Sequence, residues 1–98
     1  MVEKVIWTPR ATAKLRAIIR YLELNWNEKV TREFAQKTFA SIQLISDQPT
    51  MGELVDEKKQ IRGFRITKHN RLFYTVADKE LIVLNMFDNR QSPKNKRY

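Results

Sequence analysis

The side chains of this chain that could do chemistry are its cations. Nineteen lysines and arginines stand against eleven acidic residues and one histidine, a formal charge of +8 over 98 residues. The stretch from Ile61 to Arg90 gathers Arg62, Arg65, Lys68, His69, Arg71 and Arg90 on or beside an otherwise apolar pattern. Guanidinium groups bind phosphate and carboxylate through paired donors. The chemistry on offer is therefore anion binding, with RNA, another phosphate or an acidic peptide as the anion. Excess positive charge on so small a body also favours approach to polyanions, although solubility alone could use it. There is no cysteine, which excludes a disulfide framework, a thiol nucleophile and a cysteine-based zinc site. One histidine among scattered carboxylates argues against a metal centre, and no cofactor is expected.

These cations need elements to position them. Val2 to Trp7 alternates and reads as a strand. Thr8-Pro9 then marks a helix start: threonine is a good N-cap, and proline at the first position gives up an amide that would be unpaired anyway. Ala11, Leu15, Ile18, Leu22 and Trp26 form one helical face. Arg10, Lys14, Arg16 and Arg20 lie mostly off it and read as a solvated surface. Asn27 could cap a second helix, with Phe34, Ala35, Thr38, Phe39, Ile42 and Ile45 at helical spacing. That helix should end near Asp47, because Gln48 precedes Pro49 and is pushed from helical geometry. Two helices joined by so short a break read as an antiparallel hairpin. Pro49 to Gly52 reads as a turn, and the polar segment Glu53 to Gln60 as an exposed loop.

Three strands follow. Ile61 to Thr67 puts Phe64 and Ile66 on one face, with Arg65 and Thr67 on the other. Lys68-His69-Asn70 reads as a hairpin loop, since asparagine tolerates left-handed geometry. Arg71 to Val76 and Leu81 to Phe87 are the remaining strands, with a turn at Asp78-Lys79. The expected fold is α+β: strand, helix, helix, strand, strand, strand, a small antiparallel-rich sheet with a helical hairpin packed on one face. The hairpin would cover Phe64, Ile66, Leu72, Tyr74, Val76, Ile82, Leu84 and Met86. The opposite face would carry Arg65, Arg71, Phe73, Asn85 and Phe87, arginines among aromatics that could hold phosphates and stack bases. The first strand could pair inside this sheet or at its edge. Residues 1–98 form a single domain in this reading, with 91–98 a basic tail. The charged N-terminus lacks the apolar run of a signal peptide, and no stretch approaches the length that spans a bilayer. A cytoplasmic protein without a membrane partner is expected.

The order of these features resembles the RelE/ParE superfamily of bacterial type II toxin–antitoxin toxins, also called plasmid stabilisation proteins. Ile6-Trp7-Thr8-Pro9 with Ala13 and Leu15 is similar to its strand-to-helix entry. Phe34 to Ile45, followed by Pro49 and Gly52, is similar to its second helix and turn. Ile61-Arg62, Arg71-Leu72-Phe73-Tyr74 and Ile82 to Arg90 are similar to its last three strands. The resemblance implies a toxin that is blocked by a cognate antitoxin encoded beside it. It also implies one of two targets. RelE-like members cleave mRNA in the ribosomal A site, and ParE-like members poison DNA gyrase; fold alone does not choose between them. A toxin-like domain that only binds its partner is the third alternative.

On the RelE-like branch the resemblance implies a metal-independent endoribonuclease, an mRNA interferase. Arg71 and Arg90 match arginines that stabilise the scissile phosphate. Arg62, Arg65 and Lys68 lie near the family's paired lysines, Arg62 and Arg65 could position the backbone, and Tyr98 is a counterpart of a C-terminal tyrosine. Cleavage by a 2′-hydroxyl needs a proton acceptor, cations for the phosphorane-like charge and a proton donor for the leaving oxygen. Arginine titrates too high to be the base, which leaves Lys68, His69 and Tyr98. The plainer roles are a polar turn residue for His69, a terminal residue for Tyr98, and surface salt bridges to Asp78 or Asp88 for Arg71 and Arg90.

Overall fold

A computed structural model describes residues 2–90 of the chain. The order is β1 (Lys4–Trp7), α1 (Pro9–Asn25), α2 (Glu28–Asp47), β2 (Glu53–Asp56), β3 (Ile61–Arg65), β4 (Asn70–Ala77) and β5 (Glu80–Asp88). The expected α+β order holds, with one strand added. The strands form one mixed sheet in the order β1-β5-β4-β3-β2. β1 lies at its edge, parallel to β5, and the other neighbours are antiparallel. Among the described residues no helix is long and apolar enough to cross a membrane.

Both helices begin where their caps dictate. The Thr8 hydroxyl accepts from Ala11 N at 3.1 Å with Pro9 at the first turn, and Asn27 Oδ1 accepts from Val30 N at 2.9 Å. Each cap satisfies a donor that the helix cannot satisfy itself. Thr8 also anchors the helix to the sheet. Its hydroxyl is within donating distance of the Val83 and Leu84 carbonyls, at 3.0 and 3.2 Å, so the start of α1 is fastened to the middle of β5. Ala11, Ile18 and Leu22 of α1 and Phe34, Ile42 and Ile45 of α2 are buried with Leu72, Tyr74, Leu81, Val83 and Met86 of the sheet. Fully burying one side chain of this size contributes about 1.5–3 kcal/mol. Three members of the expected helical stripes lie outside this core: Trp26 is 54% and Phe39 67% exposed, and Ala35 is exposed. Trp26 lies past the last residue of α1, as its C-cap, and the stripe of α2 is wider than the face that helix buries.

The segment expected to be a loop at Glu53 to Gln60 begins as β2, an edge strand pairing Glu53 with Gly63 and Leu54 with Arg62. Edge pairing uses backbone groups, so β2 carries no apolar alternation and all but Asp56 of its residues are exposed. The Asp78-Lys79 turn is present with φ of 51° and 65°, both residues left-handed as a two-residue hairpin requires. Asn70, in contrast, is not left-handed. It opens β4, and its side chain is buried.

The largest departure from simple alternation is a register shift between β4 and β5. Phe73 pairs with Asn85 and Tyr74 with Val83, so Leu84 is an extra residue. A bulge of this kind reverses the side-chain faces beyond it. Leu81 and Val83 face the helices before it and Met86 does so after it, whereas Ile82 and Leu84, expected in that core, do not. Leu84 instead joins Ile61, Phe73 and Phe87 in a small second cluster on the opposite face. Val76, also expected in the main core, is 37% exposed near the hairpin tip.

Tyr74 locks the turn after α2 to the sheet. Its hydroxyl accepts from Gly52 N at 3.0 Å and donates to Pro49 O at 2.6 Å. Gly52 is required by space: a Cβ there would lie 2.6 Å from Tyr74 Oη and 2.9 Å from the Gly63 carbonyl oxygen. Tyr74→Phe leaves the Gly52 amide buried without an acceptor, which costs about 1–3 kcal/mol. Urea unfolding monitored by circular dichroism is expected to show that loss with an unchanged denaturant slope. Gly52→Ala is expected to destabilise as well, because a backbone oxygen cannot move aside as a side chain can. Wild-type midpoints for both variants would refute this account of the turn.

Candidate anion-binding groove

Four of the candidate residues come together. Arg65, Lys68, His69 and Arg71 line a groove of about 520 Å³ on the sheet face away from the helices, with Glu53, Gly63, Phe73, Phe87 and Asn89 among its other walls. The size is that of a site for a small molecule or a nucleotide-sized piece of a polymer. Arg65 pairs across the ladder with Arg71, and Gly63 with Phe73, so the groove floor follows from strand register. The absence of a side chain at Gly63 lets Arg71 and Phe73 lie across β3. A Cβ there would stand 2.6 Å from an Arg71 terminal nitrogen and 3.0 Å from the Phe73 ring.

The aromatic residues are not open for base stacking, contrary to the expectation from alternation. Phe73 and Phe87 are 5% and 8% exposed and meet edge to face with centroids 5.7 Å apart. Cations cover them: Arg71 Cζ lies 5.4 Å from the Phe73 centroid, and Lys14 Nζ of α1 lies 4.8 Å from that of Phe87. The rings are a floor that holds charges at its surface. Arg71 also meets Glu53, with NH2 to Oε2 at 3.5 Å; both side chains are well exposed. An ion pair so exposed is worth at most about 1 kcal/mol, so an arriving phosphate can displace it.

Two candidates stand elsewhere. Arg62 points to the helical side, and its NH1 donates to the Gly52 and Thr50 carbonyls at 2.8 and 3.2 Å. Arg90 is committed to Asp88, with NH2 to Oδ2 at 2.7 Å and Nε to Oδ1 at 3.0 Å. Its guanidinium lies 5.8 Å from the centroids of both Tyr21 and Trp26. It lines a separate cavity of about 370 Å³ under the helices, which Lys68 and His69 also border. The salt bridge to Asp88 that the sequence allowed is present, whereas the partner of Arg71 is Glu53 and not Asp78. Tyr98 and the basic tail at 91–98 lie outside the described residues.

The β3–β4 loop that carries Lys68 and His69 is held from β5. Asn89 N donates to His69 O at 2.9 Å, and Asn89 Nδ2 faces Lys68 O at 3.3 Å. That second bond orients the amide so that its oxygen faces His69 Nδ1, 3.2 Å away. A hydrogen bond there requires the proton on Nδ1. Next to it, buried Asn70 donates from Nδ2 to Asp88 Oδ2 at 2.7 Å. Burial would push the Asp88 carboxyl up. The hydrogen bonds from the Arg90 side chain and amide and from Asn70, with the Arg90 charge, hold it below the usual carboxylate range.

Sequence reasoning missed Glu53, Lys14 and Asn89. Glu53 was hidden because β2 was read as a loop. The signal available was Gly63, since a glycine inside a strand often marks close approach of another group. Chemically, a carboxylate beside a guanidinium offers a proton acceptor next to a group that can stabilise phosphate charge.

Arg90→Ala strands a carboxylate whose side chain is fully buried, a change that costs about 3–5 kcal/mol. Arg71→Ala should cost under about 1 kcal/mol. Because the folded Asp88 carboxyl titrates low, its stabilisation is complete above the unfolded value of about 3.9 and is lost as pH falls through the folded one. Urea unfolding across acid pH is expected to show that loss and Asp88→Asn to flatten it; equal stability of the two arginine variants at neutral pH would contradict the assignment.

A family model described as the ParE toxin of the type II toxin–antitoxin system parDE matches residues 5–93. None of the curated proteins matches the chain. Solved structures resemble it in fold. A chain of the chromosomal ParDE system from P. aeruginosa has a TM-score of 0.69 at 17% identity, covering 90% of this chain and 96% of that one. The YoeB/ParE toxin from Agrobacterium tumefaciens has a TM-score of 0.65 at 17% identity, covering 88% and 98%. A chain of the heterotetrameric YoeB-YefM toxin–antitoxin complex from Staphylococcus aureus has a TM-score of 0.60 at 17% identity, covering 89% and 95%. The strand, two helices and sheet that build the groove are thus a shared toxin architecture, and the chain belongs to the ParE toxin family of type II toxin–antitoxin systems.

Proposed function

We propose that this toxin inhibits growth by cleaving mRNA on the ribosome, with the groove around Arg71 as its working surface. The observation that carries the reading is the Arg71–Glu53 pair in a groove that also presents Arg65, Lys68 and His69. The sequence alone offered charge stabilisation without a convincing proton acceptor, and Glu53 supplies one. The 2′-oxygen attacks the adjacent phosphorus while the Glu53 carboxylate takes its proton. The P–O5′ bond breaks, His69 in its protonated form donates to the departing O5′, and the products are a 2′,3′-cyclic phosphate and a 5′-hydroxyl. Arg71 holds the non-bridging oxygens and stabilises the charge that builds on them. Arg65 and Lys68 position the backbone. Arg62 and Arg90 keep structural roles in this reading. A cognate antitoxin, like the YefM partner in the Staphylococcus aureus complex, would cover the groove.

The second reading is gyrase poisoning, in which the toxin binds and does no chemistry of its own. It is favoured by the family model that matches, which is that of the ParE toxin.

A translating extract separates the two. Wild-type toxin is expected to arrest translation and to leave mRNA cut with 5′-hydroxyl ends, while plasmid supercoiling by gyrase continues. Arg71→Ala is expected to lower the cutting rate by about 10²–10³-fold, and Glu53→Gln by about 10²–10⁴-fold, with the fold retained in both. Cleaved DNA trapped on gyrase with intact mRNA would establish the second reading. Full cutting by both variants would remove the groove from the mechanism.

A further inference from the structure

Lys14 is the one lysine of α1, and it falls three residues after buried Ala11 and four before buried Ile18. At that spacing it flanks the stripe that presses on the sheet, and it leans toward the start of the helix. It is half-buried, unlike Arg10, Arg16 and Arg20, which are exposed. Three features of β5 bring its ammonium to Phe87, a wall of the groove. β1 stops at Trp7, paired with Val83, so β5 beyond that point has no strand on its outer side. Thr8 fastens the helix start to the carbonyls of Val83 and Leu84. The bulge at Leu84 then places Phe87 on the groove face, opposite Arg71 in the ladder. Lys14 therefore reaches past the edge of the sheet and ends over the Phe87 ring. None of the ion pairs among the described residues uses it.

We infer that Lys14 is a phosphate-contacting residue that extends the Arg71 groove into a track for single-stranded RNA. The track runs from Glu53 and Arg71 across the Phe73 and Phe87 rings to α1. The inference rests on the mRNA-cleaving reading for the identity of the polymer. Adjoining rings 5.7 Å apart each carry a cation on a face, so a strand with its scissile phosphate at Arg71 passes under a second positive charge as it leaves. A cation held on an aromatic face stays put without a carboxylate partner. Its attraction for phosphate is therefore not cancelled by an internal salt bridge. The rings are nearly covered, so the track reads backbone and not bases, and its binding should be independent of sequence.

The test is fluorescence anisotropy of the full toxin with a labelled single-stranded RNA of about twelve nucleotides, over a series of salt concentrations. Lys14→Met keeps an unbranched apolar cover over Phe87 and removes the charge. It is expected to weaken binding severalfold and to lower the slope of log affinity against log salt by about 0.7, with an unchanged melting temperature. Lys14→Arg should restore the slope, and Lys58→Met, in the exposed β2–β3 connection, should leave it alone. An equal drop for Lys14→Met and Lys58→Met would overturn the inference in favour of net charge. A wild-type slope for Lys14→Met beside weakened binding by Arg71→Ala would overturn the track and spare the groove. Wild-type binding by both Lys14→Met and Arg71→Ala would overturn the groove reading and the track together.

Discussion

The extra residue at Leu84 is the constraint from which the rest of this architecture follows. β5 is an interior strand, with β1 on one side and β4 on the other. Before the bulge it gives Leu81 and Val83 to the helices; beyond it, it gives them Met86 and turns Phe87 to the other side. A strand of strict alternation would place Val83 and Phe87 on the same face. Leu81 and Val83 would then leave the main core for the side of Phe87. The bulge costs one residue of ladder pairing and lets Leu81, Val83 and Met86 share the helical face while Phe87 takes the other. Thr8, donating to the carbonyls at and before the bulge, joins that irregularity to the start of α1.

Positive charge in this protein is divided between holding the fold and facing the groove. Arg62 and Arg90 are engaged by groups of the fold. The first secures the turn before β2 through two carbonyls, and the second neutralises a carboxylate with a fully buried side chain. Asp88 and Asn70 then form the post against which the β3–β4 loop is set, and Asn89 ties the loop's carbonyls to the end of β5. That scaffold leaves Arg65, Lys68, His69 and Arg71 to face the groove. A flexible loop would lose entropy on ordering each cation around a phosphate; one already hydrogen-bonded in place loses less. Burial separates Arg90 from Arg71, whose side chains are 18% and 44% exposed.

Much of the fold was legible in the chain. Thr8-Pro9 and Asn27 marked both helix starts, Gln48-Pro49 marked the end of the second, and Asp78-Lys79 marked the hairpin, because caps and turns are settled by neighbours in sequence. The placement of Arg65 and Arg71 on the face away from the helices followed from period-two alternation within unbroken strands. β2 was illegible because an edge strand binds through its backbone and needs no apolar pattern. Ile82 and Leu84 were misplaced because alternation cannot reveal where a residue has been inserted in the pairing.

The sequence by itself determined the elements other than β2, the basic character of the last strands and the resemblance to toxin chains. Each depends on composition, local caps or spacing along one segment. Only the tertiary structure decided which partners these cations meet. It tied Arg90 to Asp88, brought Glu53 from β2 to Arg71, and carried Lys14 from α1 to Phe87. Of these, the meetings of Arg71 with Glu53 and of Lys14 with Phe87 join residues that strand order and one bulge bring together, across separations that no local pattern records.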